Sequence, residues 1–206
     1  MIIRAVALIA VAFTALGQTG YQAEELRRFA ATIDAAMDLK VGSQVADIGS
    51  GDEPFHAIRI VKAIGPTGRL VCQDIDGTAL KALAAKLKAD GVQNVEFIVG
   101  VAEDPKLPVR TFDAILISNA YHHFTRPEVM LKHVREALKP DGNVVVLEAI
   151  SPKVRDKSRD EQVKAHELAP ENLVSELEAA GFRQAKMIVL RVDGDSTRYL
   201  VSARAK

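Results

Sequence analysis

Short apolar runs alternate with helix-like segments between residues 45 and 147 of this 206-residue chain. The runs are apolar nearly end to end, which is typical of parallel strands that helices cover on both faces. A parallel strand needs a long crossover before it pairs with the next strand, so the alternation favours a layered α/β fold. We predict strands at residues 45–48, 70–72, 95–99, 112–118 and 144–147, with amphipathic helices between them.

The C-terminal part of the chain departs from this alternation. A helix is predicted at residues 170–180, and two strands follow at 187–192 and 199–203. The turn Asp193-Gly194-Asp195 between them indicates a hairpin, so the last strand should run antiparallel. The predicted fold class is therefore α/β, with a doubly wound, mostly parallel seven-stranded sheet that ends in a C-terminal antiparallel hairpin strand.

The first 17 residues have the layout of a secretory leader. Arg4 precedes an apolar run, and small residues surround a potential cleavage point at Gly17. The run has about 12 residues, fewer than the roughly 20 that span a bilayer. We therefore expect residues 1–17 to be a signal peptide or N-terminal anchor, and the protein to be exported, either periplasmic or membrane-anchored. The alternative is a buried helix of a cytoplasmic protein; the folded domain is predicted over residues 21–206 in both cases.

The composition argues against several kinds of partner. Lys plus Arg and Asp plus Glu both total 27, aromatic residues make up 5%, and Trp is absent. A nucleic-acid partner is not expected, because the surfaces that bind nucleic acids are basic and rich in aromatic residues. Cys72 is the single cysteine of the chain, which excludes an internal disulfide, and its apolar surroundings predict burial. The oligomeric state is left open.

The residues that follow each predicted strand are the candidates for chemistry, because α/β sheets bind ligands at the carboxyl ends of their strands. The first strand leads into Asp47-Ile48-Gly49-Ser50-Gly51, where glycines permit a tight turn and a close approach of backbone to ligand. Asp74 follows the second strand, where an acid can accept hydrogen bonds from both hydroxyls of a ribose. By position we favour Asp74 over its neighbour Asp76.

In their order and spacing, these segments resemble the class I S-adenosylmethionine-dependent methyltransferases. The resemblance runs from about Leu39 to the C-terminus, and no single string decides it. The matching strings are Val-Ala-Asp-Ile-Gly-Ser-Gly at 45–51, Cys-Gln-Asp-Ile-Asp at 72–76, Gly-Val-Ala-Glu-Asp at 100–104, Phe-Asp-Ala-Ile-Leu at 112–116, Leu-Lys-Pro-Asp-Gly at 138–142 and Ala-Ala-Gly-Phe at 179–182.

The resemblance implies S-adenosyl-L-methionine as the cofactor and methyl transfer to a small-molecule acceptor. It implies that Asp47 orders the first loop, that Asp74 binds the ribose and that Asn119 lies beside the reacting methyl group. Ala102 and Glu103 would border the adenine. The complete set of implied cofactor-binding residues is Asp47, Gly49, Ser50, Gly51, Asp74, Ile75, Ala102, Glu103 and Asn119.

The loop after the fourth strand supplies the catalytic candidates Tyr121, His122 and His123. An imidazole can act as a base where the acceptor must lose a proton, and Tyr121 can hydrogen-bond the acceptor or place its ring near the sulfonium. The alternative is that this loop only covers the cofactor. No metal site is predicted at the paired histidines, because adjacent side chains on a loop need further ligands.

Two other groups lie near this edge of the predicted sheet. Glu148 ends the fifth strand, where it can face a ligand or pair with an arginine of the charged segment at residues 155–159. His166 precedes the last helix, where it can close over the acceptor site or lie on the surface as part of an ordinary pair with Glu167.

The sequence departs from the family pattern at two places. Glu53 stands where a third glycine is usual, and with Asp52 it would repel a cofactor carboxylate that it faced. Val101 stands where an acid often accepts from the adenine amino group, so Glu103 or a backbone group must substitute. These departures leave open a degenerate, non-catalytic binding domain. A nicotinamide-dependent dehydrogenase is disfavoured, because the third glycine of its fingerprint is missing.

Overall fold

The computed structural model describes residues 29–193 and 196–206, and it places seven strands in one sheet. Residues 33–206 form one compact unit. The described residues 29–32 lie outside that unit and are helical. The strands are β1 (Gln44–Ile48), β2 (Arg69–Asp74), β3 (Val95–Val99), β4 (Phe112–Ser118), β5 (Leu138–Ile150), β6 (Arg183–Asp193) and β7 (Ser196–Arg204).

Helices connect most of these strands. They are α1 (residues 29–37), α2 (Phe55–Ile64), α3 (Gly77–Ala89), α4 (Pro127–Ala137), α5 (Arg159–Lys164) and α6 (Pro170–Ala179), and a 3-10 turn spans Tyr121–His123. Among the described residues, no helix combines the length and the apolar character that crossing a membrane requires. The predicted leader at residues 1–17 lies outside the described residues.

The strands lie in the order β3-β2-β1-β4-β5-β7-β6. Strands β1 to β5 pair in parallel, whereas β7 runs antiparallel to both β5 and β6. This confirms the predicted α/β class, including its antiparallel C-terminal strands. The order of connection reverses between β1 and β4, so the chain leaves these neighbouring strands in opposite directions. A crevice at their carboxyl ends is the expected ligand site of such a sheet.

The central strands are buried on both faces, as their apolar composition predicts. On β4, Ile115 belongs to a core that includes Leu131 of α4 and Leu173 of α6, while the next residue, Leu116, is also fully buried. Helices α2 and α3 contact β1, β2 and β3. The prediction for Cys72 is confirmed, because this residue of β2 is fully buried.

Coverage of both faces does not extend to the edges of the sheet. Val99 of the edge strand β3 is about half exposed, as are Met187 and Val189 of the opposite edge strand β6. The prediction of coverage on both faces, made for the five strands between residues 45 and 147, is therefore wrong for β3, which lies at the edge of the sheet.

Strand β5 is longer than the four residues predicted for it. The segment Lys-Pro-Asp-Gly at 139–142, whose composition is that of a turn, lies inside the strand, where Phe112 pairs with Leu138 but Ala114 pairs with Asn143. The intervening residues form an irregular bulge, and Asp141 has a positive φ of 63°. Turn-forming residues are therefore present, but they interrupt the strand without ending it.

The segment between β5 and α6 is organised by one buried amide, that of Gln162 in helix α5. Its Nε2 donates to the carbonyl oxygens of Arg155 at 2.9 Å and Lys157 at 3.1 Å. Its Oε1 accepts from the N–H of Ala169 at 2.9 Å and from Nδ2 of Asn172 at 3.0 Å. Since a buried polar group without partners is costly, this set of bonds fixes the segment to the start of α6.

We expect Gln162→Ala to loosen this segment selectively. The substitution removes four hydrogen bonds and leaves the buried N–H of Ala169 without its acceptor, which should lower the free energy of unfolding by about 2 kcal/mol. Hydrogen–deuterium exchange should accelerate between β5 and α6 and stay slow in β1 and β4. Lys164→Ala, at an exposed position of the same helix, is the matched control. Equal exchange in the two variants would show that Gln162 does not organise the segment.

Candidate functional site

The loop after β1 is tied to the end of β2 by backbone hydrogen bonds. The N–H groups of Gly49 and Ser50 donate to the carbonyl oxygen of Gln73 at 2.8 and 3.0 Å. The N–H of Gly51 donates to Oδ2 of Asp74 at 2.9 Å. The first two candidate loops of the sequence therefore form one connected edge at the carboxyl end of the sheet.

The two acids after β2 have different roles. Oδ1 of Asp74 accepts from the N–H of Asp76 at 2.9 Å. The Asp76 side chain caps helix α3, accepting from the N–H groups of Thr78 and Ala79. A carboxylate offers about four acceptor positions, so Asp74 keeps lone pairs for ligand hydroxyls after its two backbone bonds are made. This arrangement favours Asp74 over Asp76, as the sequence suggested.

The loops after β1 and β4 meet at Gly49. It has a positive φ of 73°, and a Cβ added there would lie 2.4 Å from Cβ of Ala120. A side chain at this position would therefore force the two loops apart. Asn119, just before Ala120, also has a positive φ, of 51°, and its N–H donates to the carbonyl oxygen of Leu147 at 2.9 Å.

A cavity of about 250 Å³ opens beside this contact. Six residues predicted for the site line it, and they come from the loops after β1, β2, β3 and β4: Gly49, Asp74, Ile75, Ala102, Asn119 and His123. Its remaining lining residues are Ile48, Gln73, Ala120, Phe124 and Met130. The cavity therefore has apolar walls with a few polar groups, which is the usual character of a small-molecule site.

Sequence reasoning missed these last five lining residues. Gln73 precedes the acid chosen for the site by one position, and Met130 lies on α4 as part of an ordinary apolar stripe. Nothing in the spacing of Met130 distinguishes a residue that faces a ligand from one that only fills the core. Gln73 could have been found, because it directly follows the strand predicted at residues 70–72.

Asp47 is buried near the end of β1, one residue before Ile48 of the cavity lining. Burial, and after it the charge of Asp74, raises the pKa of the Asp47 carboxyl from 3.8 to about 7. Ser50 supports the same turn, since its Oγ donates to the carbonyl oxygen of Asp47 at 2.8 Å. The predicted role of Asp47 in ordering the first loop fits this position, although Asp47 does not belong to the cavity lining given above.

The loop after β3 brings only one of its two predicted residues to the cavity. Ala102 lines it, within a tight turn closed by two backbone bonds between Val101 and Asp104. The Glu103 carboxylate instead pairs with the Arg126 guanidinium at 3.3 Å. Glu103 is therefore placed to hold the loop near the start of α4, and the predicted contact with adenine remains untested.

The acidic side chains at the start of α2, those of Asp52 and Glu53, form ion pairs with one lysine of α3. Nζ of Lys86 on α3 lies 3.0 Å from Oδ2 of Asp52 and 3.2 Å from Oε1 of Glu53. Glu53 is also among the most exposed side chains at this edge, at 81%. The expected repulsion of a cofactor carboxylate is therefore offset by a neighbouring cation.

Tyr121 and His122 are buried in the 3-10 turn after β4. The Tyr121 hydroxyl donates to Oε2 of Glu176 at 2.7 Å, so the side chain is engaged away from the cavity lining. Burial and the neighbouring Glu176 raise the pKa of Tyr121. The direct contact with an acceptor predicted for Tyr121 is not supported by this position.

His122 forms a buried pair with Glu148. Oε2 of Glu148 lies 2.8 Å from Nδ1 of His122, and Oε1 accepts from the His122 N–H at 3.2 Å. The arginine partner that the sequence left open for Glu148 is not the one found here, and Glu148 does not line the cavity either, because its carboxylate is buried against His122.

A third histidine, His166, lies beside the adjacent histidines His122 and His123 of the loop after β4. The ring centroids of His123 and His166 are 5.3 Å apart, and those of His122 and His166 are 5.7 Å apart. Burial, then His122 and His166, lowers the pKa of His123, which favours its neutral form. Of the three predicted catalytic residues, His123 is the one that lines the cavity.

Comparison with known proteins identifies the family to which this chain belongs. The model of the ubiE/COQ5 methyltransferase family matches residues 22–173. A ubiquinone/menaquinone biosynthesis C-methyltransferase UbiE from Enterobacter sp. (strain 638) is 31% identical over 173 residues. That match covers 84% of this chain and 62% of the relative.

This chain belongs to the ubiE/COQ5 methyltransferase family. The resemblance read from the sequence is thereby confirmed at the level of the methyltransferase family. A UbiE from Pseudomonas fluorescens (strain SBW25) is 34% identical over 115 residues, which cover 55% of this chain and 44% of the relative. The chain thus spans about three fifths or less of the length of these ubiE/COQ5 relatives.

Solved structures share the fold of this ubiE/COQ5 member. An S-adenosylmethionine-dependent methyltransferase from Aquifex aeolicus superposes with a TM-score of 0.73 at 21% identity, covering 86% of this chain and 89% of that one. The [4+2]-cyclase SpnF gives the same TM-score at 16% identity, covering 86% and 80%. At these identities the likeness establishes the fold alone.

We expect the buried carboxyl of Asp47 to make stability depend on pH. The folded protein binds this proton more tightly than the unfolded chain does, so the free energy of unfolding should fall as the pH rises from 3.8 to about 7. Asp47→Asn removes the titrating group, and the variant should gain stability relative to wild type between pH 5 and pH 8. Urea unfolding of both proteins across this range measures the difference, and a constant difference would contradict the raised pKa.

Proposed function

We propose that this protein binds S-adenosyl-L-methionine in the cavity between β1 and β4 and transfers its methyl group to a small-molecule acceptor. The observation that carries the proposal is the convergence of four loops on one cavity at the reversal point of the sheet. Family membership supports the same activity. S-adenosylmethionine would supply a methyl group on a sulfonium, which is a good leaving group, so positioning provides much of the rate acceleration.

The described residues suit the parts of this cofactor. Asp74 retains acceptor positions for ribose hydroxyls, and Ile75 offers an exposed apolar side chain beside it. Gly51 presents open space, because a Cβ added there would meet no protein atom within 4 Å. Backbone can therefore approach a ligand closely at Gly51, in the position where the family resemblance implies contact with the cofactor.

The acceptor is proposed to be a small molecule that is methylated on carbon. The named relatives are C-methyltransferases of ubiquinone and menaquinone biosynthesis, which favours a quinone-type precursor as the first candidate. His123 is the predicted catalytic residue that lines the cavity, and we propose that it faces the acceptor.

We also propose that residues 1–17 direct export. The leader-like composition supports this, and the match to the family begins beyond it, at residue 22. The test is intact-mass analysis of the protein from its native host after separation of the cell compartments. A mature chain that begins at Gln18 in the periplasmic fraction is expected, and a chain that retains residues 1–17 in the cytoplasmic fraction would overturn the proposal.

Two glycines provide a matched test of cofactor binding. Gly51 and Gly91 both have positive φ, of 60° and 74°, and an added Cβ meets no protein atom within 4 Å at either. Each alanine variant should lose about 1–2 kcal/mol of stability from the left-handed backbone. Calorimetry should show at least about a tenfold loss of S-adenosylmethionine affinity in Gly51→Ala, a change of about 1.4 kcal/mol. Gly91→Ala, at the end of α3, should bind like wild type.

Two results would argue against the proposal. Absence of binding by wild type at millimolar S-adenosylmethionine would exclude the cofactor. Binding without transfer of a labelled methyl group to any of a panel of quinol-type acceptors would favour the degenerate binding domain. Equal affinities of Gly51→Ala and wild type would show that the cofactor does not approach the loop after β1.

The charge pair at the start of α2 gives a further prediction. Because Lys86 already neutralises Glu53, Glu53→Gly should change the affinity for S-adenosylmethionine by less than about threefold, within the small range of exposed ion pairs. Lys86→Met leaves both carboxylates without this cation and should weaken binding more. A large gain of affinity in Glu53→Gly would show that Glu53 repels the cofactor in spite of Lys86.

A further inference from the structure

Three histidines from two distant segments meet beside the cavity. His122 and His123 belong to the 3-10 turn after β4, and His166 follows helix α5. One ring nitrogen of each lies within 4.8 Å of the others. Three imidazole nitrogens bound to one Zn²⁺ at about 2.0–2.1 Å are roughly 3.3 Å apart, so modest side-chain rotation would bring them to a common ion.

The arrangement has the support that a metal-binding histidine usually needs. Glu148 is buried, and it holds Nδ1 of His122 at 2.8 Å, which leaves Nε2 as the nitrogen with the free lone pair. A carboxylate bonded to the second ring nitrogen orients the ligand and raises its basicity. The Glu148 contact is therefore the one expected behind a metal ligand.

The third histidine is held in place by the segment that carries it. His166 has a left-handed backbone with φ of 59°, and its N–H donates to the carbonyl oxygen of Val163 at 3.0 Å. Gln162, four residues earlier, fixes the same segment through its buried amide. His166 is thus presented to the other two rings by an ordered turn.

We propose that His122, His123 and His166 bind one divalent transition-metal ion, with Zn²⁺ as the first candidate. Three neutral imidazoles without thiolate suit Zn²⁺ and its neighbours, and are poor ligands for Mg²⁺ or Ca²⁺. Three protein ligands also leave a fourth position free, as in catalytic zinc sites. His123 lines the cavity, so the free position opens towards the place where the acceptor is expected.

The role of this ion rests on the proposed methyl transfer. An acceptor hydroxyl conjugated to the reacting carbon would bind at the free position and lose its proton to solvent more readily there. The carbon would then form its bond to the methyl group, while the electron pair of the broken carbon–sulfur bond stays on sulfur. Loss of the proton from the methylated carbon to solvent restores the conjugation, and the oxygen takes back a proton as it leaves the ion. One proton is therefore released for each methyl group transferred.

Metal binding is tested on the full chain without reference to methyl transfer. After chelation and dialysis, Zn²⁺ titration followed by calorimetry and elemental analysis should give one ion per chain. The double substitution His123→Ala and His166→Ala should lower the affinity by more than about a hundredfold, and Glu148→Gln by about 10–100-fold. Co²⁺ in place of Zn²⁺ should give the strong visible absorption of a tetrahedral site in wild type and not in the double variant.

His133 provides the matched control. It is a histidine of α4 outside the cluster, near Glu136 at 3.8 Å, and His133→Ala should bind Zn²⁺ like wild type. Circular dichroism and unfolding curves identify a variant that fails to fold, and in that event His166→Asn, at an exposed position, replaces the double substitution. Zn²⁺ binding that is absent in wild type, or unchanged when His123 and His166 are removed, overturns the site.

Different results would overturn the metal site and the proposed methyl transfer. Histidine-dependent Zn²⁺ binding by a protein that does not bind S-adenosylmethionine would retain the metal site and exclude the acceptor role. Binding of S-adenosylmethionine and methyl transfer at full rate after complete removal of the metal would retain the proposed function and overturn the role of the ion. Loss of transfer in His166→Asn with unchanged affinity for S-adenosylmethionine is the expected result.

Discussion

The contact between Gly49 and Ala120 determines how the two halves of the site meet. Because Gly49 has no side chain, the loops after β1 and β4 can approach until an added Cβ would lie 2.4 Å from Cβ of Ala120. The backbone bonds from Gly49 and Ser50 to Gln73 then bring the end of β2 to the same edge. The cavity forms beside this contact, so its shape depends on a close approach that any larger residue would prevent.

Most acids near this edge of the sheet have a partner on a neighbouring segment. Lys86 faces both acids at the start of α2, Arg126 faces Glu103, and Glu148 is hydrogen-bonded to His122. Asp47 differs, because burial and the nearby charge of Asp74 disfavour its ionised form. A cationic ligand would favour ionisation of Asp47, so the same carboxyl that costs stability in the free protein can contribute to binding.

The fold was largely predictable because its signals are local. Leu80, Leu83 and Leu87 recur with helical spacing in the sequence, and they are the buried residues of α3. On α2 the buried residues are Ala57, Ile60 and Ile64, whereas Phe55, Ile58 and Val61, which also recur at helical spacing, are only partly buried. Periodicity therefore located the helix without identifying its packed face. Helix α5 was missed, although the capping box of Ser158 and Glu161 is visible in the sequence.

The candidate site was predictable only where one loop decides its geometry. Asp74 and Gly49 follow from their positions after strands, whereas the partners of Tyr121 and Glu148 come from contacts between distant segments. The argument against a metal at His122 and His123 was that two adjacent imidazoles lack further ligands. His166 supplies a further ligand, because the ordered segment between β5 and α6 places its ring beside those of His122 and His123. An ion held there would join this segment to the turn after β4, and thereby couple the proposed acceptor side of the cavity to the loop that Gly49 positions.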